Sequence, residues 1–459
     1  MDVRLKFLGG AQSVTGSKYL LEVDNYKLLV DCGLFQGLKK LRLRNWDDFP
    51  VETDSIDAIL LTHAHLDHSG YVPRLVAQGY DKNIYCTAST AALLEILWKD
   101  SAKLQKEEAD FARQKGYSKH KNPTGLYTED DVESALKLIK TVDFNQTLEL
   151  NEVIHAKWSN AGHILGASSI ELTLRGTLQQ KTIIFSGDLG RQKDPVMLPP
   201  STYDQADVVL IESTYGDRIN ILDNVEGNLA GQINETLDEG VVLIPAFTVG
   251  RTQSLLFMLH QLMKAKKIPD VPVYIDSPMA ISVTKLYEQF DQEHRLHDKD
   301  IFEDKNFHYI RSAEASAGLK DLKKRAIIIS ASGMITGGRI LNHLFHRIEN
   351  EHDLLLFVGY QADGTRGRDI LEGKDEIKIF GEYRKVKCKT YKIDGLSAHA
   401  DQTELIQWFN HIKDSPKFTF LVHGEVEAAN EMKKLLAERS LPNLIIPDYL
   451  ESFELFQGI

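Results

Sequence analysis

The length and composition of the chain favour a globular protein with more than one core. Of its 459 residues, 42% are hydrophobic and 26% are charged, and chains of this length usually form two domains or one domain with a large insertion. No apolar run reaches the roughly 18 residues of a membrane span. The net charge of −12 argues against a protein that coats nucleic acid non-specifically.

The N-terminal sequence and the cysteines indicate a cytoplasmic protein. The segment MDVRLKFLGG begins directly with a strand pattern and lacks the apolar core and cleavage site of a signal peptide. Cys32, Cys86 and Cys388 are odd in number and far apart, which disfavours a disulfide framework or a cysteine-ligated zinc ion. We therefore expect a cytoplasmic location, and we expect no membrane partner.

Strand patterns dominate the first half of the chain. Val3, Leu5 and Phe7 alternate with charged residues, as in a half-buried strand. Further strands are predicted at 19–23, 27–33, 58–62, 153–159, 169–174, 182–186 and 207–213. Helical patterns are predicted at 88–100, 101–122 and 128–141, the last of them opened by a capping pattern of Thr128 and Asp131.

The pattern changes after about residue 214. Continuous apolar strands at 241–245, 272–276, 326–330 and 353–359 are each followed by a turn and a helix, which predicts a parallel sheet covered on both faces. We therefore expect a Rossmann-like layer at 214–390, inserted between 1–213 and 391–459, which would form one body. No G-x-G-x-x-G sequence follows a strand, so nothing indicates a dinucleotide.

Four potential metal ligands lie within six residues after the apolar strand at 58–62. They are His63, His65, Asp67 and His68. In an extended loop the first two histidines point the same way, and the last two residues fall where a helix would begin. Imidazole and carboxylate are ligands that zinc accepts, and so dense a cluster is rarely a surface accident.

Further candidates follow other strands. His163 lies among small residues in NAGHILGA, and alone it is as consistent with a packed histidine as with a ligand. Asp188 ends a strand between two glycines, where a carboxylate could bridge two cations, although aspartate is also common in turns. Asp31 has the same strand-end form, and we expect it to orient ligands or a bound water.

These residues predict a pair of zinc ions in each chain. One ion would take His63, His65, His163 and Asp188, and the other would take Asp67, His68, Asp188 and His423. Two divalent ions about 3.5–4 Å apart can share a hydroxide and neutralise a phosphate. Because the ions lower the pKa of water to about 7, the protein needs no separate base for the nucleophile.

The leaving group still needs a proton. His399 in SAHAD is the best candidate for a general acid, because histidine titrates near neutral pH. Glu212 ends a strand and could hold that imidazole in the donating tautomer, although a capping or surface carboxylate is the alternative interpretation.

Two groups of basic and glycine residues are candidate phosphate contacts. Glycine turns before helices can bind phosphate through backbone amides, and nearby arginines can add charged contacts. The candidates of this kind are Ser332, Gly333, Gly337, Gly338, Arg251, Arg339, Arg366 and Arg368. The second group is Lys39, Lys40, Arg42 and Arg44, which could be a basic rim or simply a solvated loop.

The motifs together resemble the metallo-β-lactamase superfamily, and more narrowly its β-CASP branch. The resemblance rests on H-x-H-x-D-H with His163 and Asp188, and on the motifs IESTYG, AFTVGRTQ, ASGMITGG, GYQADGTRGR, SAHAD and VHGE. It covers essentially the whole chain. The chain is similar to bacterial and archaeal RNA-processing members and to the endonuclease subunit of the eukaryotic cleavage and polyadenylation factor.

The resemblance implies an αββα body with an inserted β-CASP layer and an active site in the cleft between them. It places the family's motif positions on Asp31, the 63–68 cluster, His163, Asp188, Glu212, His399 and His423. In having a histidine at the last motif position, His423, the chain resembles the members that cleave RNA rather than DNA. We therefore expect RNA as the substrate.

Three alternatives stay open beside a zinc-dependent endoribonuclease acting on single-stranded RNA. The same site could work as a 5′ exonuclease. A hydrolase of small esters or thioesters would explain the 63–68 cluster, His163 and Asp188, but not His399 or His423. A non-catalytic RNA-processing scaffold would be expected to lack some ligands. The oligomeric state also stays open, with a homodimer as one option.

Overall fold

The computed structural model describes residues 1–115, 123–177, 179–220, 224–296, 301–359, 361–362, 364–439 and 441–459. Within these residues the chain divides into two units. The first unit contains Met1–Ile219 and His399–Ile459, and the second contains Asn220–Ala398. Along the sequence, the second unit is therefore inserted between the two parts of the first. The domain limits predicted at residues 213 and 390 stay a prediction.

The first unit contains two seven-stranded sheets. One sheet has the order β22-β1-β2-β3-β4-β5-β6, with strands β1 (Val3–Gly9), β2 (Lys18–Val23), β3 (Tyr26–Val30), β4 (Ala58–Leu60), β5 (Ile84–Thr87), β6 (Ile139–Val142) and β22 (Ser452–Phe456). The other has the order β21-β20-β11-β10-β9-β8-β7, with strands β7 (Thr147–Glu149), β8 (Ile154–Asn160), β9 (Ser168–Arg175), β10 (Gln180–Phe185), β11 (Val208–Glu212), β20 (Phe418–Val422) and β21 (Leu444–Ile445).

The main core of the first unit lies between these two sheets. Leu28 and Val30 of one sheet belong to the same buried cluster as Trp158 and Phe420 of the other. Leu29, between the first two, is also fully buried, on the opposite face of its strand. Burial on both faces explains why β3 is a continuous apolar run instead of an alternating one.

Helices cover the sheets of the first unit. They are α1 (Lys39–Leu43), α2 (Leu66–Ser69), α3 (Val72–Ala77), α4 (Ala88–Lys115), α5 (Glu129–Lys137), α12 (Gln402–Asn410) and α13 (Val426–Ala437). Helix α4 packs against β5 and β6, and α13 packs against β20 and β21. The structure thus joins the first two predicted helices into one, while 116–122 lies outside the described residues. Thr128 and Asp131 form the predicted capping box of α5.

The second unit is built around a parallel sheet, as its continuous apolar strands predict. Its order is β14-β13-β15-β12-β16-β19, with strands β12 (Val241–Pro245), β13 (Val273–Asp276), β14 (Phe307–Tyr309), β15 (Ala326–Ser330), β16 (Leu354–Phe357) and β19 (Lys389–Lys392). A hairpin of β17 (Glu376–Ile379) and β18 (Glu382–Lys385) accompanies it. The helices are α6 (Val225–Leu237), α7 (Arg251–Lys264), α8 (Pro278–Gln289), α9 (Ala313–Gly318), α10 (Ile340–Arg347) and α11 (Arg366–Leu371).

The predicted fold class is confirmed by these layers. Among the helices that the structure describes, none is both long and apolar enough to cross a membrane.

Candidate metal centre

The topology of the first unit gathers the predicted ligands at the carboxyl ends of its strands. Strands β3 and β4 are parallel neighbours, and so are β10, β11 and β20. Because parallel neighbours end at the same edge, the residues that follow them meet there. The residues that end or follow these strands are Asp31, the 63–68 cluster, Asp188, Glu212 and His423, and His163 follows β8.

The 63–68 cluster changes from an extended loop to a helix, as predicted. Helix α2 begins at Leu66, so that Asp67 and His68 lie in its first turn. The carbonyl of Asp67 accepts a hydrogen bond from the Ser17 amide at 2.9 Å. Gly33 packs so tightly against this turn that a Cβ on it would lie 1.6 Å from the Asp67 carbonyl oxygen. The loop geometry therefore depends on a residue without a side chain at position 33.

One group of ligand atoms contains three imidazoles and one carboxylate oxygen. His65 Nδ1 lies 3.2 Å from both His63 Nε2 and His163 Nε2. Asp188 Oδ2 lies 3.4 Å from His63 Nε2 and 3.6 Å from His163 Nε2. One ligand atom from each of these four residues lies within 4.8 Å of all the others, which suits a single cation. This group is the set predicted for the first ion.

A second group adjoins the first through the same carboxylate. Asp188 Oδ1 lies 3.1 Å from His68 Nε2 and 3.6 Å from His423 Nε2. Asp67 Oδ2 lies 3.9 Å from His423 Nε2. These are the residues predicted for the second ion. The two oxygens of Asp188 therefore face different groups, as a bridging carboxylate requires.

Two buried atoms show that this arrangement suits a cation. His68 Nε2 and Asp188 Oδ1 are only 3.1 Å apart, yet neither has a hydrogen bond of acceptable geometry within the described residues. Buried polar atoms rarely stay unsatisfied, because desolvation is costly. A metal ion bound by both atoms would remove that cost. The two groups of histidines and aspartates around Asp188 therefore suggest a metal site.

The pKa values of the ligand residues depend on their burial and on the charges of their neighbours. Burial lowers the pKa of His63 well below its ordinary value, and the neighbouring His68 adds to the effect. Burial also opposes ionisation of Asp188, but His423 and His68 outweigh it and hold the pKa of Asp188 well below its usual range. Burial opposes protonation of His68 as well, but Asp188 and Asp31 outweigh it and raise the pKa of His68 well above its ordinary value. A bound cation would displace a proton from this ring, because metal ligation needs a neutral imidazole beside an ionised carboxylate.

Partners behind the ligands fix the orientation of three imidazoles. Asp31 accepts from His68 Nδ1 at 2.7 Å and from the Thr62 amide at 2.8 Å. Thr62 Oγ1 lies 3.1 Å from His63 Nδ1, and Ser17 Oγ lies 2.9 Å from His423 Nδ1. Sequence reasoning found Asp31 but missed Ser17 and Thr62. Thr62 could have been suspected because it directly precedes the cluster, whereas nothing in the sequence connects Ser17 with His423.

We expect Asp31→Asn to weaken zinc binding by about 10- to 100-fold, the range typical for partners of ligating histidines. The asparagine would present an amide N–H to the protonated Nδ1 of His68 or to the Thr62 amide. Competition with a chromogenic chelator measures the affinity. Asp54→Asn, at an exposed position, is the control. Equal zinc affinity in both variants would exclude an orienting role for Asp31.

His399 and Glu212 form a pair beside the ligand groups. His399 Nδ1 lies 3.2–3.3 Å from the two carboxylate oxygens of Glu212, which is fully buried. The His399 ring lies 4.4 Å from the His163 ring, between centroids. Burial lowers the pKa of His399, but the Glu212 carboxylate outweighs burial and raises the pKa to about 9. His399 is therefore a cation at neutral pH, as a general acid must be.

The predicted phosphate-binding loop of the second unit forms hydrogen bonds between its own residues. Ser332 Oγ accepts from the amides of Thr336 and Gly337, at 3.0 and 3.3 Å. A Cβ on Gly338 would lie 2.4 Å from the Ala331 carbonyl oxygen, and one on Gly333 would lie 2.7 Å from the Phe247 ring. These glycines thus have packing roles, and their contact with phosphate stays a prediction.

The predicted arginines Arg339, Arg366 and Arg368 have partners inside the second unit. Arg339 Nη1 lies 2.7 Å from Asp276 Oδ1 and donates to the Ile310 carbonyl. Arg368 Nε lies 2.6 Å from Glu372 Oε1. Arg366 donates to the carbonyls of Lys378 and Ile335. A phosphate contact by these guanidinium groups would compete with the present pairs. Arg251 is the first residue of α7.

Comparison with known proteins assigns the family. Three family models match, and their descriptions are a metallo-β-lactamase superfamily domain at 20–212, a Beta-Casp domain at 252–370 and a Zn-dependent metallo-hydrolase RNA specificity domain at 383–447. A protein of Thermus thermophilus named a ribonuclease is 35% identical, over 95% of this chain and 96% of its own length. The chain belongs to the β-CASP branch of the metallo-β-lactamase superfamily. It is a metal-dependent hydrolase.

Other relatives of this β-CASP protein carry related names. An RNase J-like protein of Methanocaldococcus jannaschii is 32% identical, over 92% of this chain and 93% of its own length. A transcription termination factor of the same organism is 30% identical, over 95% of this chain and 70% of its own length. A crystal structure of a protein of unknown function from Enterococcus faecalis has a TM-score of 0.57 at 14% identity, covering 99% and 100% of the two chains, which shows a shared fold.

Proposed function

We propose that this β-CASP protein is a ribonuclease that uses two zinc ions to hydrolyse phosphodiester bonds of single-stranded RNA, mainly as an endonuclease. The observation that carries the proposal is the position of Asp188, whose two oxygens face two separate ligand groups. The names of the relatives and the RNA specificity domain, which contains His399 and His423, support RNA as the substrate.

The donor set fits zinc. Neutral imidazoles and carboxylates are its usual nitrogen and oxygen ligands. His63, His65, His163 and Asp188 would hold one ion, and Asp67, His68, His423 and Asp188 would hold the other. Two such ions supply a water of lowered pKa and positive charge against a phosphate. Burial lowers the pKa of His63 and of His423, and Asp31, Thr62 and Ser17 fix the directions of three imidazoles.

His399 would protonate the departing oxygen. Its Nδ1 is held by Glu212, so the proton on Nε2 is the one that general acid catalysis would transfer. Glu212 accepts from the Leu189 amide as well, which fixes the carboxylate next to the loop that carries Asp188. A thioester releases a thiolate, which departs readily as an anion and needs no such acid. The pair therefore favours a phosphodiester over a thioester.

We expect Glu212→Gln to move the alkaline limit of cleavage to lower pH. The carboxylate raises the pKa of His399 to about 9, so the acid form persists up to that pH and is lost above it. Bound cations would lower this limit in both proteins, but only the wild type retains the contribution of Glu212. Rates of RNA cleavage between pH 6 and pH 10 measure the shift. Superimposable pH profiles would contradict the pairing.

The test of the proposed function uses labelled single-stranded RNA in linear and circular form, together with DNA of the same sequence. We expect the zinc-loaded protein to cut both RNAs and to cut DNA much more slowly, and we expect a chelator to stop cleavage. Cleavage of linear RNA alone would show an exonuclease, and its loss on a 5′-blocked RNA would identify a 5′ exonuclease. Equal cleavage of DNA would refute the preference for RNA, and no chelator-sensitive cleavage would refute the ribonuclease.

A further inference from the structure

A basic segment follows the loop that supports the metal ligands. We define it as residues 35–46, with the sequence FQGLKKLRLRNW. It contains four cations within six residues, Lys39, Lys40, Arg42 and Arg44, and Asp47 and Asp48 follow it, in a chain with a net charge of −12. So concentrated a positive charge in an acidic protein indicates a local role, because the overall field of the chain repels polyanions.

The basic segment is attached directly to the ligand loop within the first unit. The Leu34 amide donates to the Leu66 carbonyl at 2.7 Å, one residue before Asp67. Phe35 and Asn45 exchange two hydrogen bonds, of 2.9 and 2.8 Å, which close the segment into a loop. Leu38 is four positions after Leu34 in the sequence, so their Cα atoms are at most about 14 Å apart. The first cation, Lys39, therefore follows closely after a residue that is bonded to the ligand loop.

The side chains of the segment face solvent in an unusual combination. Lys39, Lys40 and Arg42 are exposed, and within the described residues none of them forms an ion pair. Large apolar side chains lie exposed among them, with fractional exposures of 46% for Leu38, 53% for Leu43 and 51% for Trp46. Ordinary solvated loops carry the charges without the apolar groups.

Arg44 is held in a fixed position beside these residues. Its guanidinium carbon lies 4.0 Å from the centre of the Tyr449 ring and 5.5 Å from the centre of the Phe35 ring. The Phe35 and Tyr449 rings pack edge to face, with centroids 6.1 Å apart. A guanidinium group stacked on an aromatic ring keeps its charge and loses little further mobility when it binds a ligand. Arginines in this arrangement commonly contact phosphates or nucleic-acid bases.

We propose that the basic segment is a docking surface for single-stranded RNA and guides the strand to the metal centre. This inference rests on the proposed ribonuclease function. Unpaired cations beside an exposed indole match the two features of such a strand, its phosphates and its unpaired base faces. The sequence alone left this segment open between a basic rim and a solvated loop; the exposed tryptophan and the stacked arginine favour the rim.

Two other partners fit the segment less well. A two-fold contact with a second copy would bring four cations against the same four cations, which is unfavourable in a self-complementary interface. Helix α1 has only five residues, whereas helices that lie in a membrane surface are often about 20–30 residues long. The charge and the short helix thus favour a flexible polyanion.

The experiment measures binding of a fluorescent 12-nucleotide single-stranded RNA by anisotropy, in an Asp188→Asn background that prevents cleavage. Lys39, Lys40 and Arg42 are changed together to glutamate. The control changes Lys106, Lys137 and Lys140 to glutamate, which are exposed lysines of the first unit and give the same change in charge. We expect the first variant to bind at least about tenfold more weakly than the control. A plot of the logarithm of its binding constant against the logarithm of the salt concentration should have a slope that is smaller in magnitude by about 2. Each phosphate that is no longer neutralised reduces that slope by roughly 0.7.

Trp46 provides a second test that does not alter charge. We expect Trp46→Ala to weaken binding about fivefold or more, and Trp46→Phe to restore most of it, because any aromatic face can stack on a base. If the charge variant and Trp46→Ala both bind RNA like the control, the docking surface is refuted.

Two further measurements separate this inference from its alternatives and from the proposed function. A change of molar mass by light scattering in the Lys39, Lys40 and Arg42 variant would assign the segment to a homodimer contact. The wild type could bind phosphatidylserine vesicles while the same variant does not, although the variant still binds RNA. That result would assign the basic segment to a membrane surface. Either result overturns the inference. Wild-type protein that cleaves RNA while the variant binds like the control refutes the docking surface alone, and wild-type protein that neither binds nor cleaves RNA refutes both.

Discussion

Replacement of Asp188 by asparagine is expected to reduce cleavage of single-stranded RNA by about three orders of magnitude or more, because it removes a ligand from both ions. Its Oδ2 faces His63 and His163, and its Oδ1 faces His68 and His423. An amide must turn its NH₂ towards one of these groups, and an NH₂ cannot ligate a cation. The loss of negative charge weakens both sites as well.

Single-turnover cleavage and zinc content, measured on the same sample, check this expectation. We expect fewer than two zinc ions per chain in the variant, with the secondary structure retained because asparagine has nearly the same volume. Asp204→Asn is the matched control, since that carboxylate lies on the surface near Lys413. Near-normal cleavage by Asp188→Asn with two zinc ions bound would refute the bridging role.

Replacement of His399 by alanine is expected to slow RNA cleavage by about 10²- to 10⁴-fold, the usual contribution of a general acid. Zinc content should not change, because His399 is paired with Glu212 and lies outside both predicted ligand sets. The loss should depend on the leaving group. A sugar hydroxyl departs poorly without a proton, whereas p-nitrophenolate departs readily as an anion.

The comparison of RNA with a p-nitrophenyl phosphodiester therefore isolates the role of His399. We expect the variant to lose much more activity on RNA than on the activated ester. His411→Ala serves as the control. This exposed histidine follows α12, and its ring bonds to the backbone carbonyl of Gln407. Equal losses on the two substrates would show that His399 does not act as the acid.

The ligand set could be predicted because its parts are local in sequence or are fixed by topology. The 63–68 cluster lies on one loop, and the turn into α2 sets the directions of its side chains. Asp188 and His423 end up near it because β10, β11 and β20 are parallel neighbours and end at one edge. The family resemblance, confirmed by the comparisons, adds the same positions independently.

Two of the partners behind the ligands, Ser17 and Thr62, could not be predicted in the same way. Ser17 is 406 residues from His423 in the sequence, and serine is too common in turns to stand out. Thr62 orients His63 and binds Asp31, but its hydroxyl has no distinctive pattern in a strand end. Such contacts depend on the exact packing of loops, which neither periodicity nor spacing determines.

The second unit contains partners of a predicted site residue that sequence reasoning did not foresee. Arginine after a glycine turn at the start of a helix predicts a phosphate contact, yet Arg339 lies against the buried carboxylate of Asp276. That carboxylate also accepts from His343 and Ser316, so the arginine completes a buried polar network. The sequence shows that Asp276 ends a strand, but it does not show which loop the carboxylate faces.

Titration of the metal-free protein with zinc, with bound zinc and cleavage of labelled single-stranded RNA measured in each sample, tests the two-metal site most directly. We predict that zinc binding saturates at two ions per chain and that cleavage rises with the second ion. Saturation at one ion with full cleavage, or cleavage that does not require zinc, would contradict a site built around both oxygens of Asp188.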